Sequence, residues 1–400
     1  MTAIAAIVFW LSAGLLVYTH LGYPLLLAAL VRLTGRDSRT TQPAPDRPGR
    51  FQHPGPPGGS NVGNDAGGGL PTVSLIVPAY DEEEVIAAKV ANALALDYPR
   101  ERLQVVVASD GSTDATAARA RAAGAGLVLE LPAGGKVAAL NAAAEQAAGE
   151  ILAFSDANSV WAPDALRRLV APFADPGVGY VCGRVRFLDP QGDNLEGAYW
   201  RYEMAVRELE SALAGVTAGN GAIYAVRRDA YVPLAPSGSH DLSFPFRLAK
   251  RRLRSLYAPG ARAEEKMVPT IEGEFARKRR MMVGLWDIVV GEGMLSPRGY
   301  PPLFAFEIAS HRLLRYLSPL LHVLALVANV FLLGAGWFYV LAFLLQLALI
   351  AAALLAGVLP LAPFRIARYY ALSTASIALG LWDRWRGGAG GRWQKAAGTR

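Results

Sequence analysis

Two long stretches without formal charge constrain this chain more than any other feature of its sequence. No Asp, Glu, Lys or Arg occurs from Ala3 to Val31, and none occurs from Tyr316 to Phe364. A helix needs about 20 apolar residues to cross a bilayer, so the first stretch can cross once and the second twice. Gly334 to Gly336 would form the turn between the latter two. No Lys or Arg precedes Ala3, whereas Arg32 and Arg36 follow the run, which fits an anchor better than a cleaved leader. The positive-inside tendency then puts the N-terminus outside and the following chain in the cytoplasm. A shorter uncharged segment, Tyr369 to Trp382, is rimmed by Tyr and Trp. It fits either an interfacial position or a crossing at a thin point, giving three spans or four.

Composition agrees with this division. Hydrophobic residues make up 52% of the chain, high for a purely soluble enzyme. The single cysteine, Cys182, excludes an intrachain disulfide framework and agrees with a reducing compartment. A formal charge of +7 invites a nucleic-acid reading. No nucleic-acid-binding motif accompanies the charge, however, and the basic residues gather beside the apolar segments. Attraction to membrane lipid or to a diphosphate explains them, and nucleic acid is not an expected partner.

Between the apolar ends, residues 35–70 are rich in Pro, Gly, Asp, Asn and Ser and read as a disordered tether. From Thr72 short apolar runs alternate with Ala-rich helical stretches. VSLIVPAY (73–80), LQVVVAS (103–109), LVLEL (127–131) and ILAFSD (151–156) read as strands, with helices between them. Asp81 and Glu84 have the spacing of a capping pair for the first helix. Strand alternating with helix predicts an α/β domain with a mostly parallel sheet. Beyond Pro163 the alternation loosens. Strands are expected at 179–187 and 221–228, and helices at 194–213, 241–251 and 270–290. The expected organisation is an anchor at 1–34, the tether at 35–70 and a cytoplasmic domain at 71–310. Transmembrane or interfacial helices at 311–386 and a basic tail at 387–400 complete it.

Ligands of open α/β sheets bind beyond the carboxyl ends of the strands. Tyr80 to Glu82, Asp110 and Asp156 all fall at that edge. Repeated carboxylates there suit a nucleotide and a divalent ion on its diphosphate. Asp110 and Asp156 could equally cap helices, a common place for Asp after a strand.

VSLIVPAYDEE, then SDGSTDAT, then FSDANS form an ordered series. Together they resemble family 2 of the inverting glycosyltransferases, in its membrane-bound branch. That branch includes cellulose, hyaluronan and chitin synthases and exopolysaccharide transferases. The resemblance covers roughly residues 72 to 315 and implies a GT-A-type nucleotide-sugar-binding fold. It further implies that Ala79, Tyr80 and Glu82 line a base and ribose pocket, that Asp110 contacts the nucleobase, and that Lys136 lies near the donor phosphates. Lys136 read alone could be a solvated helix-start lysine. Asp156 matches the first residue of the family's DxD element, while Asn158 replaces its last Asp. Mg2+ or Mn2+ on Asp156 and Asn158 is the implied cofactor, held less tightly because an amide carries no charge.

Gly219, Asn220 and Gly221 resemble the family's acceptor-side segment, and small residues there let backbone approach a sugar. SHDLSFPF resembles the ED or DD element, which makes Asp241 the general base and puts His240 in the place of the preceding acid. Read alone, Asp241 could be a helix cap. Arg277, Lys278, Arg279, Arg280 and Met281 fall where processive members carry QxxRW. In that register Arg280 keeps the arginine, and Met281 in place of Trp weakens the case for polymerisation. The same basic helix could instead meet anionic headgroups.

The resemblance thus implies transfer from a nucleotide-sugar donor, with a UDP-sugar as the leading choice, to a lipid-linked or glycan acceptor. The setting would be a bacterial-type inner membrane crossed several times. A non-catalytic nucleotide-sugar-binding regulator of glycan export is the alternative, kept open by His240 and Asn158. A dinucleotide oxidoreductase fits poorly, because PAYDEE lacks the glycine fingerprint that lets backbone approach a pyrophosphate. Few ionisable groups in the apolar stretches argue against a transporter.

Overall fold

The computed structural model describes residues 2–35, 69–188, 195–236, 238–266, 271–359 and 361–387. The expected tether at 35–70 and tail at 387–400 fall almost wholly outside these residues. Eight strands form one sheet: β1 (Val73–Ala79), β2 (Leu103–Asp110), β3 (Leu127–Leu131), β4 (Ile151–Phe154), β5 (Val160–Trp161), β6 (Val178–Leu188), β7 (Tyr224–Arg227) and β8 (Arg254–Lys266). Their order is β3-β2-β1-β4-β7-β6-β8-β5.

The first half of the sheet is parallel throughout. β1 pairs with β2 on one side, with Ile76 opposite Val106, and with β4 on the other, with Val73 opposite Ile151. β2 also runs parallel to β3. Every residue of β1 is buried, as expected of a strand covered on both faces. Alternation along the strand sends Ile76 toward Ala139, Leu140 and Ala143 of helix Lys136–Gln146, while Val77 packs with Ile86 and Val90 of helix Ile86–Leu94. Because β1 has parallel neighbours on both sides, the loops leaving it and β4 open a crevice at their carboxyl ends.

The second half is mixed. β7 runs antiparallel to β4 and to β6, β6 runs parallel to β8, and β8 runs antiparallel to the short β5. β8 was not expected from sequence. Its apolar pattern is broken at Pro259 and Gly260, where the register with β6 shifts between Gly183 and Arg184. A bulge accommodates residues that an unbroken ladder would reject.

The capping expectation at Asp81 does not hold. The helix begins at Ile86 with no side-chain cap. Asp81 takes a left-handed conformation (φ 50°), and its Oδ1 accepts the Thr113 N–H at 2.8 Å. The polar loop after β2 outcompetes the helix end for this carboxylate.

Three apolar helices, Thr2–Thr34, Pro302–Val330 and Trp337–Leu355, are long and apolar enough to cross a membrane. The Tyr369 to Trp382 segment belongs to a longer helix, Ala362–Trp385, which packs on helix Ile271–Trp286. Charged contacts join these two: Arg279 pairs with Asp383 at 2.6 Å, and Lys278 donates to Ser373 Oγ at 3.1 Å.

A buried polar cluster ties the sheet domain to the apolar helices. Glu210, on helix Leu195–Leu213, accepts from Tyr23 Oη at 2.9 Å, from Thr217 N–H at 3.1 Å and from Thr217 Oγ1 at 3.0 Å. His311 Nδ1 lies 2.7 Å from the same carboxylate. Arg312 donates to Thr217 Oγ1 at 2.8 Å, and Arg315 pairs with Glu203 at 2.6 Å. Burial alone would raise the Glu210 carboxyl, but His311, Arg312 and the Thr217 N–H together hold it well below its usual range.

Candidate active site

The loop leaving β1 is held by the loop leaving β2. The Asp81 N–H donates to Ser112 Oγ at 3.0 Å, the Glu82 N–H to Thr116 Oγ1 at 2.7 Å, and the Glu83 N–H to Asp114 Oδ2 at 3.2 Å. Ser112, Asp114 and Thr116 of SDGSTDAT are therefore spent as backbone partners for the neighbouring loop. Gly111 makes the turn possible: its φ is +65°, and an added Cβ would lie 2.8 Å from that of Ala133. Ala79 and Glu82 are buried, and Tyr80 is half-buried. Of these three residues, only Tyr80 keeps a substantial exposed surface at the crevice.

Asp110 ends β2 at the expected edge, but both its oxygens are engaged. They accept the N–H groups of Gly134 at 2.7 Å and Gly135 at 2.9 Å. Asp110 thereby fixes the loop that leads directly into Lys136. Lys136 Nζ pairs with Asp156 Oδ1 at 2.5 Å. Burial opposes the lysine's charge, yet Asp156, and after it Asp241 and Glu265, hold the ammonium above its ordinary range. Gly221 borders this pair, with an added Cβ falling 3.7 Å from Lys136 Nζ and 3.8 Å from Asp156 Oδ2.

Asp241 lies in the first turn of helix His240–Lys250, half-buried, and accepts from Ser239 Oγ. Its backbone carbonyl accepts the Gly219 N–H at 2.7 Å, which joins the 219–221 segment to the base candidate. Gly219 must be glycine, because a Cβ would lie 1.8 Å from Tyr180 Oη. Asn220 is buried and works within the chain: Nδ2 donates to Gly183 O at 2.7 Å, and Oδ1 accepts from the Ile223 N–H at 3.0 Å. His240 is buried among Phe154, Tyr224, Tyr231 and Phe244, with Nδ1 2.9 Å from Tyr224 Oη. Burial, helped by the nearby Lys136 charge, pushes its pKa down to about 3, so the ring is neutral at physiological pH. His240 thus belongs to the core beneath Asp241.

Two charged groups at this edge, Lys89 and Glu265, escaped sequence reasoning. Lys89 is 3% exposed, and its Nζ donates to Ser159 O at 2.7 Å while facing the Trp161 ring at 5.1 Å. Burial lowers its pKa to about 7 against the opposing pull of Glu265 and Asp156. Glu265, near the end of β8, is driven upward by burial and by Asp156, with Lys136, Arg277 and Lys89 pulling the other way. Arg277 is therefore the arginine of the basic helix whose charge reaches this edge, while Arg280 is exposed. The lone lysine on the apolar face of VIAAKVANAL was the available signal for Lys89. Glu265 sits in the strand whose pattern the bulge hides.

Asp156, Asn158 and Glu265 offer oxygen atoms, the donor type that hard divalent ions prefer. Among the described residues no group of three or more His, Cys, Asp or Glu side chains forms a cation cage. The donor set fits an ion whose remaining ligands come from a bound diphosphate or water.

Residues 74–232 match the family described as Glycosyl transferase family 2. Glycosyltransferase AglE of Haloferax volcanii is 29% identical over 179 residues, 44% of this chain and 58% of its own length. A beta-monoglucosyldiacylglycerol synthase of Nostoc sp. is 30% identical over 257 residues, 57% of this chain and 53% of its own. The chain thus spans about half the length of these curated relatives. A mannosyltransferase from Pyrobaculum calidifontis, solved in complex with GDP-Man and Mn2+, superposes with a TM-score of 0.67. That likeness covers 96% of this chain and 98% of the other at 23% identity, and it is a likeness of fold. The sheet domain is of the GT-A type, flanked by apolar helices.

Proposed function

Starting from a glycosyl transferase family 2 domain at residues 74–232, we propose that the chain is a membrane-bound inverting glycosyltransferase using a nucleotide-sugar donor. The observation that carries this reading is the convergence of Asp156, Lys136 and Asp241 at one sheet edge, with the Lys136 ammonium in the field of both carboxylates.

Asp241 acts as the general base. It takes the proton from the acceptor hydroxyl as that oxygen attacks the anomeric carbon in line and the diphosphate departs on the opposite face. Lys136 and Arg277 stabilise the negative charge that grows on the diphosphate. Tyr80 borders the nucleoside, and Asp110 acts through the Gly134–Gly135 backbone that sets Lys136. A divalent ion held by Asp156 and Asn158, with Glu265 beside them, would neutralise the diphosphate as a Lewis acid. Gly219, Asn220 and Gly221 shape the acceptor side through backbone, and His240 supports the base from below.

The apolar helices support acceptor binding beside a membrane, and a lipid-linked or membrane-attached glycan acceptor is the class that fits. The Nostoc relative, named as a synthase of a glycosylated diacylglycerol, supports a lipid acceptor. The mannosyltransferase that shares the fold was solved with GDP-Man, so GDP-sugars stand beside UDP-sugars as donor candidates. The sheet domain would lie on the cytoplasmic side of a multi-pass inner-membrane protein.

The test is nucleoside diphosphate release by detergent-purified protein supplied with UDP- and GDP-sugars and membrane lipid, with Mn2+, Mg2+ or chelator. Lipid-dependent, metal-dependent release from one donor is the expected result. Donor binding without turnover under every condition would replace this reading with that of a binding protein.

A further inference from the structure

Lys89 lies outside every motif that carries the proposed chemistry, yet its ammonium reaches the turn beside Asp156. The turn from Asp156 to Ser159 presents both Asp156 and Asn158 at the sheet edge. Within it the Ser159 N–H donates to Asp156 O at 3.2 Å, closing the turn. Two lysines from different helices hold its ends. Lys136 meets the Asp156 carboxylate from the crevice side, and Lys89 donates to the Ser159 carbonyl from the core side at 2.7 Å. The same helix supplies Asn92, whose side chain takes both backbone groups of Trp161, each at 2.9 Å. Trp161 Nε1 in turn donates to Ala222 O at 3.0 Å, next to Gly221. One helix face thus braces the donor turn and, through Trp161, the 219–221 segment.

An ammonium is an expensive way to fill a core. Desolvating it costs several kcal/mol, and a leucine or methionine of similar volume would cost nothing comparable. Among the described residues no carboxylate forms an ion pair with Lys89 within 4 Å, so it is not half of a structural salt bridge. The negative charges that compensate it belong to Asp156 and Glu265, at the donor edge itself. Its single directed hydrogen bond goes to the backbone of the donor turn.

We propose that Lys89 is a positioning residue for the donor site: its hydrogen bond to Ser159 sets the Asp156–Ser159 turn in the geometry that receives a nucleoside diphosphate. This rests on the transferase reading for its ligand class, but not on turnover. The side chain touches no reacting atom and acts through the turn alone. It should therefore govern donor affinity while leaving proton removal by Asp241 intact.

The experiment is calorimetric binding of UDP and GDP, each with Mn2+, to the full-length detergent-purified protein. Wild type, Lys89→Met, Lys89→Gln and Lys89→Arg are compared, with thermal unfolding as the check on folding. For whichever nucleotide binds wild type, Lys89→Met is expected to weaken binding at least tenfold. Lys89→Gln, which keeps a donor but loses the charge, should weaken it three- to tenfold, and Lys89→Arg should restore it to within threefold. With a turnover assay, Lys89→Met should raise donor KM by the same factor and leave kcat within threefold. A folded Lys89→Met protein that binds within twofold of wild type would overturn the proposal. So would a Lys89→Arg protein as weak as Lys89→Met, or a lowered kcat at unchanged KM. If Lys89→Met does not fold, Lys89→Gln decides by the same twofold limit. Wild-type protein that binds neither nucleotide would count against the transferase reading and the proposal together. Binding without turnover would remove the transferase reading alone.

Discussion

Among the described residues, the buried charged clusters around Glu210 and around Asp156 are finished differently. The cluster around Glu210 joins the sheet domain to the apolar helices, and the Glu210 carboxylate is fully partnered, although both oxygens of the neighbouring buried Glu307 have no hydrogen-bond partner. Tyr23, Thr217 and His311 surround one carboxylate, Arg312 holds Thr217, and Arg315 pairs with Glu203. The cluster around Asp156 is left open. Glu265 is raised by burial and by Asp156, Lys89 is lowered by burial, and Glu265 Oε1 is buried with no hydrogen-bond partner. Directed partners from several elements hold the Glu210 carboxylate, whereas opposed shifts of buried charges at a strand-end edge mark the Asp156 cluster as a candidate site. The first cluster ties elements together around Glu210, and the second is the proposed donor site.

Mutations should separate the two. Asp156→Ala removes the carboxylate at the centre of the open cluster. Transfer should fall by about two to three orders of magnitude, with thermal stability little changed. A rate assay beside a melting curve checks both halves of that expectation. Glu210→Gln should do the reverse. Removing one charge from a closed buried pair costs about 3–5 kcal/mol, so the melting temperature should drop while donor affinity in the protein that remains folded stays near wild type. Similar losses of donor affinity in both variants would erase the distinction.

The basic helix offers a finer comparison. Arg277 acts on Glu265, whereas Arg280 is exposed. Arg277→Ala should raise donor KM about tenfold, in keeping with the loss of one charge-assisted hydrogen bond, and Arg280→Ala should leave it within twofold. The opposite ranking would restore the register read from sequence.

A pH-dependent effect concerns His240. Folded, it stays neutral down to about pH 3, while in the unfolded chain it protonates near 6.5. Between those values the unfolded state binds the extra proton, so wild type loses stability as pH falls through that window. His240→Asn should flatten the acid limb by up to about 1.4 kcal/mol per pH unit, measured by denaturant unfolding between pH 6.5 and 4.

The same contrast explains what could be read in advance. The parallel half of the sheet was legible because β1, β2, β3 and β4 are short, predominantly apolar runs ended by polar turns. β8 was not, because Pro259 and Gly260 interrupt its pattern at a register shift with β6. Asp156, Lys136 and Asp241 were chosen from motifs, and the fold brings their charges together. Motifs could not say that both Asp110 oxygens are committed to Gly134 and Gly135, or that His240 is a core residue. Lys89 showed locally only as a lysine on an apolar helix face, and its role, like that of Glu265, depends on contacts between elements far apart in the chain. The Glu210 cluster was equally hidden, because Glu210 on helix Leu195–Leu213 meets His311, and Thr217 meets Arg312, from distant parts of the chain.

The most direct test of the account measures donor affinity and transfer rate side by side in wild type and Asp241→Asn. If Asp241 is the base, the substitution keeps the side chain's size and removes its proton affinity. Transfer should fall by about 10²–10⁴-fold while the donor dissociation constant stays within twofold. Transfer near the wild-type rate would take Asp241 out of the chemistry, and a parallel loss of donor binding would make it a donor-site residue instead.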